Sequence, residues 1–217
     1  MKKIFDYLAP FLFLGLILGF GACSNEQDDN SFTEADLGKR VLIDNGPLLG
    51  DNLKYQLSGA KWSRNSLTYY FVNQSPKLNN TEARQAVRNA FATWSNASVL
   101  TFTEVSSASS ADIKIGWYKG SHGDTSAFDG AGNTLAHAYY PPPLGGTYAG
   151  IVHFDDDENW GTDGSYLKFD LESVALHEIG HALGIAHEGT IFSSVMYPSI
   201  GSGEIKRTLT MDDILAI

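Results

Sequence analysis

Apolar and polar positions along the chain predict a small set of elements. Leu67 to Val72 (LTYYFV) is aromatic and β-branched and reads as a strand. Val87, Ala90, Phe91 and Trp94 recur at helical spacing, which predicts an amphipathic helix over Asn80–Trp94, capped by Asn80 or Thr81. Val99 to Val105 alternates and predicts a second strand, and Ile113, Ile115 and Trp117 mark a third. A Gly/Pro-rich stretch runs from Gly120 to Gly150, followed by a strand at Ile151–Phe154. Loops this long in a compact domain are usually functional or held by metal. Leu171 to Leu183 reads as a helix with Asp170 as N-cap. A last helix is expected from Thr210, with Met211, Ile214 and Leu215 as its apolar face. Strands and a helix come first, then loops, then two helices, which is an α+β order without an internal repeat.

The N-terminus changes the picture. Lys2 and Lys3 precede an apolar run from Leu8 to Phe20, then Gly21, Ala22 and the only cysteine, Cys23. The run is short for a transmembrane anchor and is set aside as a signal segment over residues 1–22. Its layout resembles a bacterial lipoprotein signal, in which Cys23 would be lipidated, although Phe20 stands where such signals carry Leu. That would tie the protein to a membrane surface only through the lipid, with export to the bacterial cell surface or beyond. Residues 24–30 (SNEQDDN) read as a disordered tether. Residues 23–54 as a whole are expected to be tether and short pro-segment, and 55–217 one folded domain.

The chain has 217 residues, 43% of them apolar, enough for one core. The net charge of −10 argues against nucleic acid as a partner. A monomer is expected. With Cys23 used for lipidation no thiol remains for a disulfide, so metal ions are the obvious staples.

The chemistry is concentrated in His177-Glu178-Ile179-Gly180-His181-Ala182-Leu183-Gly184-Ile185-Ala186-His187. Residues four apart share a helix face, so His177 and His181 can ligate one ion. Gly184 permits a sharp turn that returns His187 to it. Three ligands and a water suit catalytic zinc, and Glu178 beside them suits a general base. An amphipathic helix that happens to carry histidines is improbable against this combination. Met196, in Ser194-Val195-Met196-Tyr197-Pro198, reads as the Met-turn beneath the metal, although alone it would pass for core.

Upstream, His122, Asp124, His137 and His153 give four N/O donors fitting a structural zinc, where each histidine alone would be an ordinary loop residue. Asp129-Gly130-Ala131-Gly132 and Asp155-Asp156-Asp157-Glu158 interleave with them. Calcium is favoured over a merely solvated acidic loop because these residues bracket the zinc ligands.

On these motifs, residues from about Tyr55 onward resemble the catalytic domain of matrixins, a branch of the metzincins. The resemblance implies a zincin-like fold: a twisted five-stranded sheet with an antiparallel edge, two long helices and a third at the C-terminus. It implies a secreted zinc endopeptidase acting on proteins or peptides. It assigns catalytic zinc to His177, His181 and His187, structural zinc to His122, Asp124, His137 and His153, and calcium to Asp129, Asp155 and Glu158 with carbonyls of Gly130, Gly132 and Thr134. Substrate would lie beside Leu135-Ala136, with a pocket near Leu176 for an apolar residue just after the scissile bond. Tyr139-Tyr140-Pro141-Pro142-Pro143 and Asp44-Asn45-Gly46-Pro47-Leu48 resemble a bacterial member with a short pro-segment. By that similarity Asp44 is the zymogen latch, where by itself it would only cap a turn. Ile151 stands where a second calcium ligand would accompany Asp112, and Ile200 replaces the usual tyrosine after Pro198-Ser199. The last helix is expected to be cut short at Ile217. A different class, a metal-stapled binding lipoprotein with vestigial catalysis, is disfavoured by the intact Glu178 and ligands.

Overall fold

The computed structural model describes residues 40–44 and 58–217. The signal segment, Cys23 and the tether lie outside the described residues. Chain order runs β1 (Arg40–Leu42), β2 (Ser66–Phe71), α1 (Asn80–Ala97), β3 (Thr101–Glu104), β4 (Ile113–Tyr118), β5 (Ala136–Ala138), β6 (Ile151–Asp155), β7 (Trp160–Gly161), β8 (Phe169–Asp170), α2 (Leu171–Leu183), β9 (Ser199–Gly201) and α3 (Met211–Ala216).

The five-stranded sheet has the order β3-β2-β4-β6-β5. Every pairing in it is parallel except β5 on β6, which forms the antiparallel edge. The expected sheet is therefore present. In β2 the inward positions Leu67, Tyr69 and Phe71 are buried, as its alternation requires.

α1 buries Ala83, Ala86, Val87, Ala90, Phe91 and Trp94, a stripe at three- and four-residue spacing. Phe91 stacks on Tyr69 with ring centroids 4.1 Å apart. The helix is capped by Asn79, whose side chain accepts from the Thr81 and Glu82 amides, not by Asn80 or Thr81. An N-cap must be extended while its carbonyl starts the helix, and Asn79 has that conformation.

α2 is buried almost all round, with only Glu172 outside the buried set. Asp170 caps it through the Ser173 amide, at 3.0 Å, and Arg207 pairs with the same carboxylate. Trp94 Nε1 donates to Leu176 O at 2.8 Å and joins the two long helices. Between them sits Gly180. A Cβ there would lie 2.5 Å from Met196 Sδ and 3.0 Å from a Trp94 ring carbon.

α3 corrects its sequence-based orientation. Met211, Ile214 and Leu215 are exposed, while Asp212, Asp213 and Ala216 are buried. Hydrogen bonding outweighs hydropathy here. Asp213 completes a capping box with Thr210 and also reaches the loop beneath α2.

Gly180→Ala is expected to lower unfolding free energy by ~1–3 kcal/mol, as overpacking outweighs the gain in helix propensity. Urea titration of the zinc-loaded protein measures this. An unchanged midpoint would mean that Met196 yields without cost.

Candidate active site

α2 presents His177 and His181 on one face, and both are buried. Gly184 ends the helix with φ 111°, where a Cβ would lie 2.2 Å from Ala60 O. The segment entering the domain braces this turn. Ser58 N donates to Gly184 O, and Trp62 Nε1 to Ala182 O, each at 2.8 Å. His187 then returns to the first two histidines. Nε2 of His177 lies 3.0 Å from that of His181 and 3.2 Å from that of His187.

Tautomers follow from the outer hydrogen bonds. His177 Nδ1 donates to Val195 O and His181 Nδ1 to Ile185 O, both at 2.7 Å. In the neutral rings the inner nitrogens then carry lone pairs. Burial, with the neighbouring His181 and His187 rings, holds the His177 pKa well below its ordinary value. Buried lone pairs facing one another at this distance suit a shared cation, and the donor set fits zinc.

Asp44 joins this group. Its carboxylate is 3.0 Å from His181 Nε2 and 2.5 Å from His187 Nε2. Burial alone would raise its pKa, but contacts with His181 and His187 hold it well below the ordinary range. Asp44 reaches the site two residues beyond β1, on a segment that touches both sides of the cleft. β1 pairs antiparallel with β9. Ile43 N donates to Pro198 O at 2.9 Å, and Ile43 O accepts from the Leu135 and Ala136 amides at 3.1 and 2.9 Å. The singled-out Leu135 and Ala136 thus act through their backbone, while Leu176 is fully buried behind the cleft.

Glu178 is fully buried, and neither carboxylate oxygen has a protein partner. Burial, and then the Asp44 charge, raises its pKa well above the ordinary glutamate value. Tyr140, not singled out in the sequence as a site residue, sets its ring edge-on to His181 with centroids 5.8 Å apart. Burial and the Asp44 and Glu178 charges push its pKa up to about 12.

Met196 is buried beneath the histidines. The sequence reading missed what holds its turn. Asp213 accepts from Ser194 Oγ at 2.6 Å, Val195 N at 3.1 Å and Met196 N at 3.3 Å. Because Val195 O orients His177, Asp213 acts on a candidate ligand through one peptide. The adjacent acidic pair at the start of an apolar helix was the available signal.

The second cluster forms around Asp124. Its Oδ2 lies 3.2 Å from His122 Nε2, 2.8 Å from His137 Nε2 and 3.0 Å from His153 Nδ1. His137 and His153 meet because they are directly paired across β5 and β6. Burial, then the His137 ring, pushes the His153 pKa down to about 4. Three imidazoles and a carboxylate with buried side chains fit a closed zinc site.

The acidic set is drawn together less tightly. Glu158 Oε1 accepts from Gly132 N at 2.6 Å, and Asp129 Oδ1 from Thr134 N at 3.3 Å. Asp155 Oδ2 is buried without a protein partner. Burial, and then neighbouring acidic charges (Asp157 and Asp129 on Asp155, Asp155 and Asp129 on Glu158), raise both pKa values, as expected of carboxylates suited to a cation. The Gly130 backbone lies beside Asp155. Asp112 has partners of its own: Arg64 at 2.5 Å and the Thr68 amide at 2.8 Å.

The family model described as matrixin matches residues 61–217. The chain belongs to the matrixin family. It is 53% identical to karilysin of Tannerella forsythia over 176 residues, covering 81% of this chain and 36% of that protein. It is 43% identical to metalloendoproteinase 2-MMP of Arabidopsis thaliana over 166 residues, covering 72% and 42%. It is 44% identical to interstitial collagenase of Bos taurus over 154 residues, covering 70% and 31%. The chain therefore spans well under half the length of these relatives. Matrixins use catalytic zinc, structural zinc and calcium, and both histidine clusters of this matrixin can hold a metal ion.

Metal-free protein is expected to lose stability as pH falls from about 6.5 towards 4. Unfolded His153 binds its proton near 6.5, whereas folded His153 does so only near 4. Between these values the unfolded state gains by about 1.4 kcal/mol per pH unit per histidine. Thermal melts in a chelator across this range test it, and a flat profile would contradict the neutral, buried ring.

Proposed function

We propose that this matrixin is an exported zinc metalloendopeptidase made in a latent form, with Glu178 as general base and Asp44 as latch. The observation carrying the reading is the buried, unpartnered Glu178 carboxylate directly following the first of three converging histidines. Family membership supports protein or peptide substrates. Among the described residues no helix is long and apolar enough to cross a membrane, and lipidation of Cys23 would supply the attachment.

Zinc held by His177, His181 and His187 would polarise the scissile carbonyl and activate water at neutral pH. Substrate backbone pairs with the edge formed by Leu135 and Ala136, whose amides now hold Ile43. Glu178 removes a proton from the attacking water as its oxygen bonds to the carbonyl carbon. It then delivers that proton to the amine nitrogen as the C–N bond breaks. A high Glu178 pKa favours the delivery step, and departure of the Asp44 charge lowers that pKa towards what the base step needs. Asp44 occupies the position where water and substrate must enter, so its segment has to leave before turnover. Cleavage between Asn52 and Tyr55 would release it. His122, Asp124, His137 and His153 would hold the structural zinc, and Asp129, Asp155 and Glu158 the calcium, with carbonyls of Gly130, Gly132 and Thr134.

Glu178→Gln in the processed protein is expected to lower cleavage of a denatured protein ~100- to ~10,000-fold with zinc content unchanged. Retained cleavage, or absence of cleavage by folded, zinc-loaded wild type, would overturn the protease reading. In the full chain, Asp44→Ala is expected to raise peptide cleavage ~10–100-fold, the equivalent of one charge-assisted contact. Equal activity of the two full-length proteins would remove Asp44 as the latch.

A further inference from the structure

Past the end of β9 the cleft wall meets a surface that neither the metal centres nor Glu178 use. Tyr166 and Leu167, in the loop between β7 and β8, are each 73% exposed. Ile205, in the loop after β9, is 52% exposed. Single exposed apolar residues are ordinary, but these three large ones come from two loops packed on each other. Ser202 Oγ donates to Tyr166 O and Gly203 N to Lys168 O, each at 2.9 Å. Two glycines allow the approach. A Cβ at Gly203 would lie 2.8 Å from Tyr166 Cα, and one at Gly164 would lie 2.7 Å from Ile205 Cδ1. The Ile205 side chain therefore lies against the loop that carries Tyr166 and Leu167.

Both loops are held beneath their exposed side chains. Asn159 Nδ2 donates to Leu167 O at 2.8 Å, and Lys168 N to Ser165 O at 3.0 Å. On the other loop, Glu204 accepts from Gly201 N at 2.7 Å. Lys206 N donates to Ser173 Oγ at 2.7 Å, and its ammonium donates to Phe192 O at 2.7 Å and Ser194 O at 3.2 Å. Ile205 thus sits between two buried, anchored residues. A partner covering these side chains need not order the backbone below them, so more of the apolar burial is kept as affinity.

What covers them follows from the adjoining interface. β1 already lies on β9, with Leu42 opposite Ser199, Val41 opposite Ile200 and Arg40 opposite Gly201. Counted outward from Asp44 among the histidines, Arg40 is the fourth residue and stands at the end of the wall (44 − 40 = 4). A peptide taking that path in place of β1 runs out at Gly201. Ser202 and Gly203, which touch Tyr166, come next.

We propose that Tyr166, Leu167 and Ile205 form an exosite for protein substrates, contacting apolar side chains about five or six residues from the scissile bond on the arm that lies along β9. The inference rests on the protease reading. It makes a long chain with apolar residues at that distance a better substrate than the same cleavage sequence in a short peptide.

The test uses the zinc-loaded full chain carrying Asp44→Ala as parent. One variant adds Tyr166→Ser with Leu167→Ser, and another adds Tyr166→Phe. Peptides of one core sequence are extended on either arm, with Leu-Leu or Ser-Ser at the fifth and sixth positions. Peptide hydroxamates extended in the same way are titrated by calorimetry, which needs no turnover. In the parent one arm is expected to gain about tenfold in kcat/KM from Leu-Leu over Ser-Ser, carried by KM, with a like gain in hydroxamate affinity. The double serine variant should keep less than about twofold of that gain. Tyr166→Phe should keep most of it, because the ring makes the contact. Absence of a gain on both arms of the parent overturns the exosite. So does a gain that survives the double substitution, whatever happens to the melting temperature. Vesicles of phosphatidylcholine bound by the parent and not by the double variant, with no peptide gain, would make the surface a lipid contact and also overturn it. Hydroxamates that bind with the expected gain while neither peptide is cleaved would overturn the protease reading and leave the peptide contact standing. Hydroxamates that do not bind at all would overturn both.

Discussion

Three buried imidazoles converge on one point, and burial with the two neighbouring rings holds His177 neutral there. Inner nitrogens 3.0 and 3.2 Å apart would repel, so the arrangement needs a cation, and much of the surrounding structure serves to keep it. The 3.6-residue repeat of α2 aligns the first two rings. Gly184 turns the chain through a conformation closed to other side chains, and the Ala60 carbonyl stands where a Cβ would be. Val195 and Ile185 carbonyls select the tautomers. Asp213 fixes the Val195 peptide, and Trp94 fixes α2 through Leu176 O.

The same constraint explains why the cleft has two unlike walls. One is the outer edge at β5, the terminal strand of the sheet, where the Leu135 and Ala136 amides hold Ile43. The other is the segment leaving the Met-turn, fixed by the residues that orient His177. Ile43 lies between them, with amides on one side and a carbonyl on the other. Main-chain recognition of this kind is indifferent to sequence, so discrimination must come from side-chain pockets. That places the burden of specificity on loops outside the motif.

How far this was legible in the sequence depended on the type of signal. His177, His181 and His187 could be read because helix geometry and one glycine convert spacing directly into proximity. The strand β2 was also legible, since its burial follows its alternation. The Asn79 cap was missed by one residue because Asn79, Asn80 and Thr81 are all competent caps and only backbone conformation separates them. The face of α3 was misjudged because hydropathy ignores Asp213, whose carboxylate satisfies three donors of a distant loop. Lys206 was invisible for the same reason. A lysine is normally solvated, and only the fold brings Phe192 O and Ser194 O to its ammonium.

Metal also answers the problem set by the long stretch between Gly120 and Gly150. Apart from β5, that segment has little regular backbone pairing to hold it. His122 and Asp124 lie at its start, His137 on β5 and His153 on β6, so one ion among them closes a loop that hydrophobic burial alone would leave weakly fixed. The nearby carboxylates of Asp155 and Glu158 oppose this closure, since burial and mutual repulsion make their charged forms costly. A divalent cation there turns that repulsion into attraction. The order of the β5 edge therefore depends on the ions behind it.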